Sequence, residues 1–339
     1  MILGIFYGLG SAFTQSFSYL ATRHFVQRRS ARGMWDLLIL GHLLMGVMGL
    51  VGCVCAWPAG APGMGQWGIA WPLVGTSLFY LIGQAGLQYS LKHGEASRIT
   101  PLLGFKVLLQ AALVGMLGMP GGGEGAALTW LQWAAVGLCV AGGLLINASG
   151  GVFRRRAIAG VGWTVCFFAL SDYHIAWLVK DPMRVPGLSA TRAAILGASL
   201  QYAFNGAIAL PFVGLVQSAK VKDWREALPF AATWFGAMLF LFGAIGQVGV
   251  ILGTILQSTR GVITIILAAG IAWLGHEHIE PLHGRGIVLR RLAGGSLMFV
   301  AIALYVIKEP GNIKLGAGNS DQPPAERGAS WSQRVTTFC

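Results

Sequence analysis

Long apolar runs joined by short polar connections dominate this sequence, and they restrict its fold more than any single motif does. Ten runs are candidates to cross a membrane: 2–22, 35–57, 70–91, 99–118, 129–148, 157–179, 191–217, 228–256, 260–275 and 288–307. A spanning helix needs about 20 predominantly apolar residues. Within hydrocarbon every backbone polar group must be satisfied inside the chain, which leaves helices or closed barrels. Barrel strands are segments of about ten residues with alternating polarity, whereas these runs are longer and unbroken. The expected fold is an all-α integral membrane protein of ten transmembrane helices, without room for a soluble domain. Composition agrees: 11% of residues are charged, against roughly 25% in soluble domains. The 50 glycines suit helices whose backbones approach closely in lipid.

A net charge of +12 would suit a polyanion, but the basic residues gather at the ends of the runs rather than along one soluble face. They read as topology determinants and lipid head-group contacts. Membrane lipid is thus an expected partner and nucleic acid is not. Cys53, Cys55, Cys139 and Cys166 lie within runs and Cys339 ends the sequence. On one helix Cys53 and Cys55 diverge, so no disulfide framework is visible. The first run lacks the basic region and cleavage site of a signal peptide and is expected to stay as a membrane helix. From Lys308 the chain turns polar and rich in Gly and Pro, and 309–339 reads as a disordered tail.

The two halves echo each other. "LFYLIGQAGL" at 78–87 returns as "LFGAIGQVGV" at 241–250, which matches Gln84 with Gln247. "SRITPLL" at 97–103 parallels "TRGVITI" at 259–265, aligning Arg98 with Arg260. The expected organisation is a first five-helix repeat over 1–150 and a second over 151–308. Five is odd, so the second half enters the membrane inverted, an arrangement of secondary transporters with a substrate site near the midplane.

The chain resembles the drug/metabolite transporter superfamily, EamA type. The resemblance rests on "GVITIILAAGIAWLGHEHIEPLHGRGIVLRRLAGGSLMFVAIALYVI" in the second half and "TPLLGFKVLLQAALVGMLG…LQWAAVGLCVAGGLLI" in the first. Leu274-Gly275-His276-Glu277 and Gly294-Gly295 stand where that family has a Gly-Glu pair after the ninth helix and a Gly-rich last helix. The first half departs from the pattern, with "GMPGGGEG" at the end of span four. The resemblance implies two inverted five-helix repeats and a transporter of a bacterial inner (plasma) membrane with both termini inside. The charge bias points the other way: fifteen basic residues flank one side and eight the other, which places both termini outside.

Polar residues inside the runs form stripes. Ser11, Gln15 and Ser18 share one helical face, Tyr80, Gln84 and Gln88 another, and Lys106 and Gln110 follow Arg98. Gln201 and Asn205 read as ordinary interhelical hydrogen bonding, at about 0.6 kcal/mol each. Asp172, within "ALSDYHIAW", lies roughly 10 Å from the end of its run at 1.5 Å per residue. It is too short to snorkel, and an intramembrane carboxylate is a candidate for proton coupling. Lys106 is the one lysine deep within a run and a candidate partner for it. His174 points about 200° away from Asp172 on a helix and reads as a packing residue.

The function expected is a secondary transporter moving a small polar, amino-acid-like metabolite by alternating access. Its candidate substrate-binding residues are Gln15, Gln84, Lys106, Asp172, Tyr173 and Gln247, with Asp172 also the coupling residue. No cofactor or resident metal is expected, and the sequence has no nucleophile elbow or Walker-type phosphate loop. Two other classes stay open. One is a metal-dependent membrane enzyme using the turn His276–His283, although that turn lacks the His-Glu-x-x-His spacing. The other is a channel or a non-transport subunit of a larger complex.

Overall fold

The computed structural model describes residues 1–28, 33–58, 68–117, 130–148, 155–180, 188–216, 220–276 and 284–307. Among the described residues the chain is helical and contains no strand. The helices are α1 (Ile2–Arg28), α2 (Gly33–Ala56), α3 (Ala70–His93), α4 (Ala96–Leu102), α5 (Lys106–Leu117), α6 (Trp130–Ala148), α7 (Arg155–Lys180), α8 (Ala190–Ala209), α9 (Val221–Val248), α10 (Val250–Ser258), α11 (Arg260–Trp273) and α12 (Arg285–Ile307). Short 3₁₀ turns, Leu103–Phe105 and Leu210–Leu215, join α4 to α5 and extend α8. Residues 1–305 form one compact unit. The expected polar tail lies outside the described residues.

Each of the ten expected spans falls on helix, but six stretches are both long and apolar enough to cross a membrane. They are Gly33–Ala56, Ala96–Val114, Arg155–Val179, Ala190–Leu215, Val221–Val248 and Val250–Trp273. The apolar stretch of α6, Trp133–Ile146, is shorter. Helices α1 and α3 fall short in apolarity because each carries an inward polar stripe: Ser11, Gln15 and Ser18 on one, Thr76, Gln84 and Gln88 on the other, all buried.

One expected boundary is misplaced. The run 228–256 is not one span, because the chain turns at Gly249, with φ 83° and ψ 167°. That region of backbone space is essentially open to glycine alone. From Val250 onward the helix continues through Thr259, which keeps right-handed helical angles, to Trp273. Arg260 therefore sits near the middle of the candidate span Val250–Trp273, not between two runs. Between α4 and α5, Pro101, whose ring removes a helical N–H donor, precedes the 3₁₀ turn Leu103–Phe105, and α5 starts at Lys106.

The most extensive packing runs α3 along α7, α1 along α9 and α2 along α8. Small residues permit it. A Cβ placed on Gly46 of α2 would lie 2.8 Å from the Cα of Gly206 on α8, and one on Gly206 would lie 2.6 Å from the Cα of Gly46. Helices α6 and α12 meet at Gly142 and Gly294 in the same way. Polarity is distributed inside out. Gln15, Gln84, Gln88, Gln201 and Asn205 are buried, while Val47, Leu50, Val51 and Val54 form an exposed stripe on α2. Water would penalise such a stripe and lipid would not. Several long apolar helices with outward apolar faces point to an integral membrane protein.

Candidate functional site

The polar stripes of α1, α5, α7, α10 and α11 converge on a charged centre. Asp172, on α7, is 5% exposed and Lys106, the first residue of α5, is 2% exposed. The Lys106 ammonium approaches Asp172 Oδ2 to 2.5 Å. The same oxygen accepts from Gln110 Nε2 at 2.9 Å and from Thr254 Oγ1 at 3.5 Å. Lys106 also donates to Gln257 Oε1 at 2.9 Å, and Gln257 Nε2 donates to Ser11 Oγ at 3.4 Å. A buried pair of charges needs such supplementary hydrogen bonds to offset its desolvation.

Local geometry puts these groups in reach. The 3₁₀ turn at 103–105 starts α5 with Lys106 facing α7, and one helical turn later Gln110 points the same way. On α10, Thr254 and Gln257 are three apart and share a face. Arg260 follows at the start of α11. Its Nη1 donates to Gln15 Oε1 at 2.6 Å, and its guanidinium lies 5.8 Å from the centre of the Tyr19 ring. Ser16 Oγ donates to the Arg260 carbonyl at 3.2 Å and ties α1 to this point.

Gln15, Lys106, Asp172, Gln257 and Arg260 line one cavity together with Tyr80, Gln201 and Trp234. Its free volume is about 10 Å³, room for about one water molecule. Around it stands an aromatic cage. Tyr80 stacks on Phe168 at 5.9 Å, and Trp234 Nε1 donates to Tyr202 Oη at 2.9 Å. Behind Tyr80 lies a second, larger cavity of about 660 Å³ between α2, α3 and the end of α8, walled by His42, Leu81 and Phe212 among others. Tyr80 Oη and His42 Nε2, 3.2 Å apart, stand between the two spaces.

Of the six residues expected to bind substrate, the structure brings Gln15, Lys106 and Asp172 to this centre. The other three lie elsewhere. Gln84 is buried mid-way along α3, outside the cavity lining, and neither end of its amide has a partner among the described residues. Gln247 is half-buried beside the last residue of α9, next to Gly4. The two glutamines therefore stand at different points of their helices, Gln84 well inside α3 and Gln247 one residue from the end of α9. Tyr173 is half-buried, with its ring against His174 at 5.8 Å. Arg98 and Arg260 also part company: Arg98 lies in the first turn of α4, Arg260 at mid-span.

Sequence reading overlooked Gln257, Thr254 and Arg260 and assigned Gln201 to simple packing. Their signal was Arg260 itself, an arginine within the apolar run 250–273, which becomes visible once the turn is placed at Gly249. Among the described residues no group of His, Cys, Asp and Glu could hold a metal. His276 is exposed, and the remainder of its turn, 277–283, lies outside the described residues.

No family profile matches the sequence, and no curated protein matches it. A solved structure does. The chain described as "Crystal structure of protein" superposes with a TM-score of 0.55 at 16% identity, covering 88% of this chain and 95% of its own length. That likeness is one of fold alone.

Proposed function

We propose that the protein is a secondary transporter of the drug/metabolite type, resident in a bacterial inner membrane, that carries a small polar metabolite by alternating access. The observation carrying this reading is the Lys106–Asp172 ion pair, held by α5 and α7 at membrane depth and bridged to α10 and α1 through Gln257. Intramembrane charges are expensive, and where they occur they mark substrate or ion pathways more often than structural struts.

The packing pattern supports ten crossings in two inverted halves. With α1, α2 and α3 as the first three spans and α7, α8 and α9 as the sixth to eighth, the third span of one half packs on the first span of the other, in both directions. The second spans of both halves meet at Gly46 and Gly206, which would lie on the axis between them. A cavity with room for about one water is what a closed state between two open ones would hold.

The test is efflux from proteoliposomes loaded with a mixed metabolite extract and followed by mass spectrometry. The proposal expects a small set of polar solutes to leave in a saturable manner that external substrate accelerates by exchange, and expects Asp172→Asn to abolish it. Flux that neither saturates nor exchanges would make the protein a channel instead.

A further inference from the structure

The charge at the centre does not balance. Lys106 and Asp172 neutralise each other at 2.5 Å. Arg260 faces the same cavity, is 1% exposed, and has no carboxylate within ion-pair distance among the described residues. Its partners are Gln15 Oε1 and the face of Tyr19, both uncharged, and its Nε has none at all. Guanidinium stays protonated in proteins, so the cavity holds one uncompensated positive charge in the middle of the span Val250–Trp273. A buried charge without a counter-ion is costly unless something pairs with it.

From this imbalance we infer that Arg260 is the anchor for a carboxylate, and that the transported solute is an organic monoanion. This rests on the transporter reading for its biological sense, but not for its test. Arginine presents two parallel N–H groups that match a carboxylate, and its fork is the side chain best suited to hold one away from water. An arriving carboxylate takes the side-on pair of Nε, which has no partner, and Nη2, whose N–H groups run parallel, while Nη1 keeps its bond to Gln15. The amide of Gln15, the indole of Trp234 and the ring of Tyr80 then face the remainder of the solute. A zwitterion fits less well, because its ammonium would have to displace Lys106 from Asp172. The cavity must widen to admit even a small acid, so binding and opening of the aromatic cage are coupled. Tyr80 is the wall that gives way, because it lines the centre and its hydroxyl meets His42, which lines the 660 Å³ space.

The experiment uses purified full-length protein in detergent and three matched probe sets: propionate, pyruvate and benzoate; their amides; and alanine as a zwitterion. Thermal shift and titration calorimetry are run on wild type, Arg260→Met and Arg260→Lys. The inference expects at least one carboxylate to raise the melting temperature in a dose-dependent way, with its amide inert. The affinity should fall at least tenfold in Arg260→Met and be partly kept in Arg260→Lys. Without ligand, Arg260→Met should melt no lower than wild type, because it removes an uncompensated buried charge. The inference is overturned if no carboxylate shifts the protein, if amides or alanine match the acids, or if acids bind Arg260→Met unchanged. It is also overturned if ligand-free Arg260→Met or Arg260→Lys is strongly destabilised, which would make Arg260 a structural strut. Carboxylate binding without flux in proteoliposomes would remove the transporter reading and keep the anchor. Saturable flux of uncharged solutes alone would do the reverse.

Discussion

Among the described residues lining the cavity, Asp172 is the one acid and Lys106 and Arg260 are the bases, and this sets what each substitution there should do. Breaking a buried ion pair by removing one partner costs about 3–5 kcal/mol, because the other charge is left uncompensated. The two halves of this pair are not equivalent, however. Asp172→Asn leaves Lys106 and Arg260 facing each other across the cavity, whereas Lys106→Met leaves Asp172 with Arg260 as a new counter-charge. Asp172→Asn should therefore be the more destabilising single change, and the double variant should recover part of its loss. Chemical denaturation of the three variants, analysed as a double-mutant cycle, checks this; equal and additive losses would contradict it. The pair was legible in the sequence because an isolated Asp and an isolated Lys stand out inside apolar runs. Arg260 was not, since a span ending at 256 and another starting at 260 turn a mid-membrane arginine into an interfacial one.

At the scale of elements, the decisive feature is where α9 stops. Gly249 adopts angles that cost other residues about 1–3 kcal/mol, and nothing in a chain with 50 glycines distinguishes this one from those that serve packing. Its apolar surroundings continue on both sides, so hydropathy alone runs straight through the turn. Gly249→Ala should lower stability by about 1–3 kcal/mol, while Gly270→Ala, whose added methyl meets nothing within 4 Å, should be close to neutral. Thermal melts of the two variants side by side decide it. The α2–α8 contact offers a second test. A Cβ on Gly46 already comes within 2.8 Å of the Gly206 backbone, so Gly46→Leu must separate the helices. Overpacking of this kind costs about 1–3 kcal/mol. Loss of both stability and transport is expected, and a well-folded, fully active Gly46→Leu protein would contradict the close packing described here.

On the scale of the whole molecule, the helical class was readable from run length and charge scarcity alone, because the bilayer permits so few backbone solutions. Which helices touch was not readable, since packing in lipid depends on small residues whose positions carry little sequence signal. Gln84 and Gln247 share a local pattern, but one lies well inside its helix and the other at its end, a difference that the pattern itself does not carry. In the proposed transport cycle the halves rock about the Lys106–Asp172 centre, exposing it to each side in turn. Thr254, 1% exposed and against Asp172, reports on that directly. Thr254→Cys would be placed in a background with Cys53, Cys55, Cys139, Cys166 and Cys339 changed to Ser. It would be reconstituted in sealed vesicles and treated with a membrane-impermeant thiol reagent from outside or inside. Modification from either side, slowed when a bound ligand holds the cavity closed, is the predicted result; labelling from one side only, or from neither, would contradict alternating access.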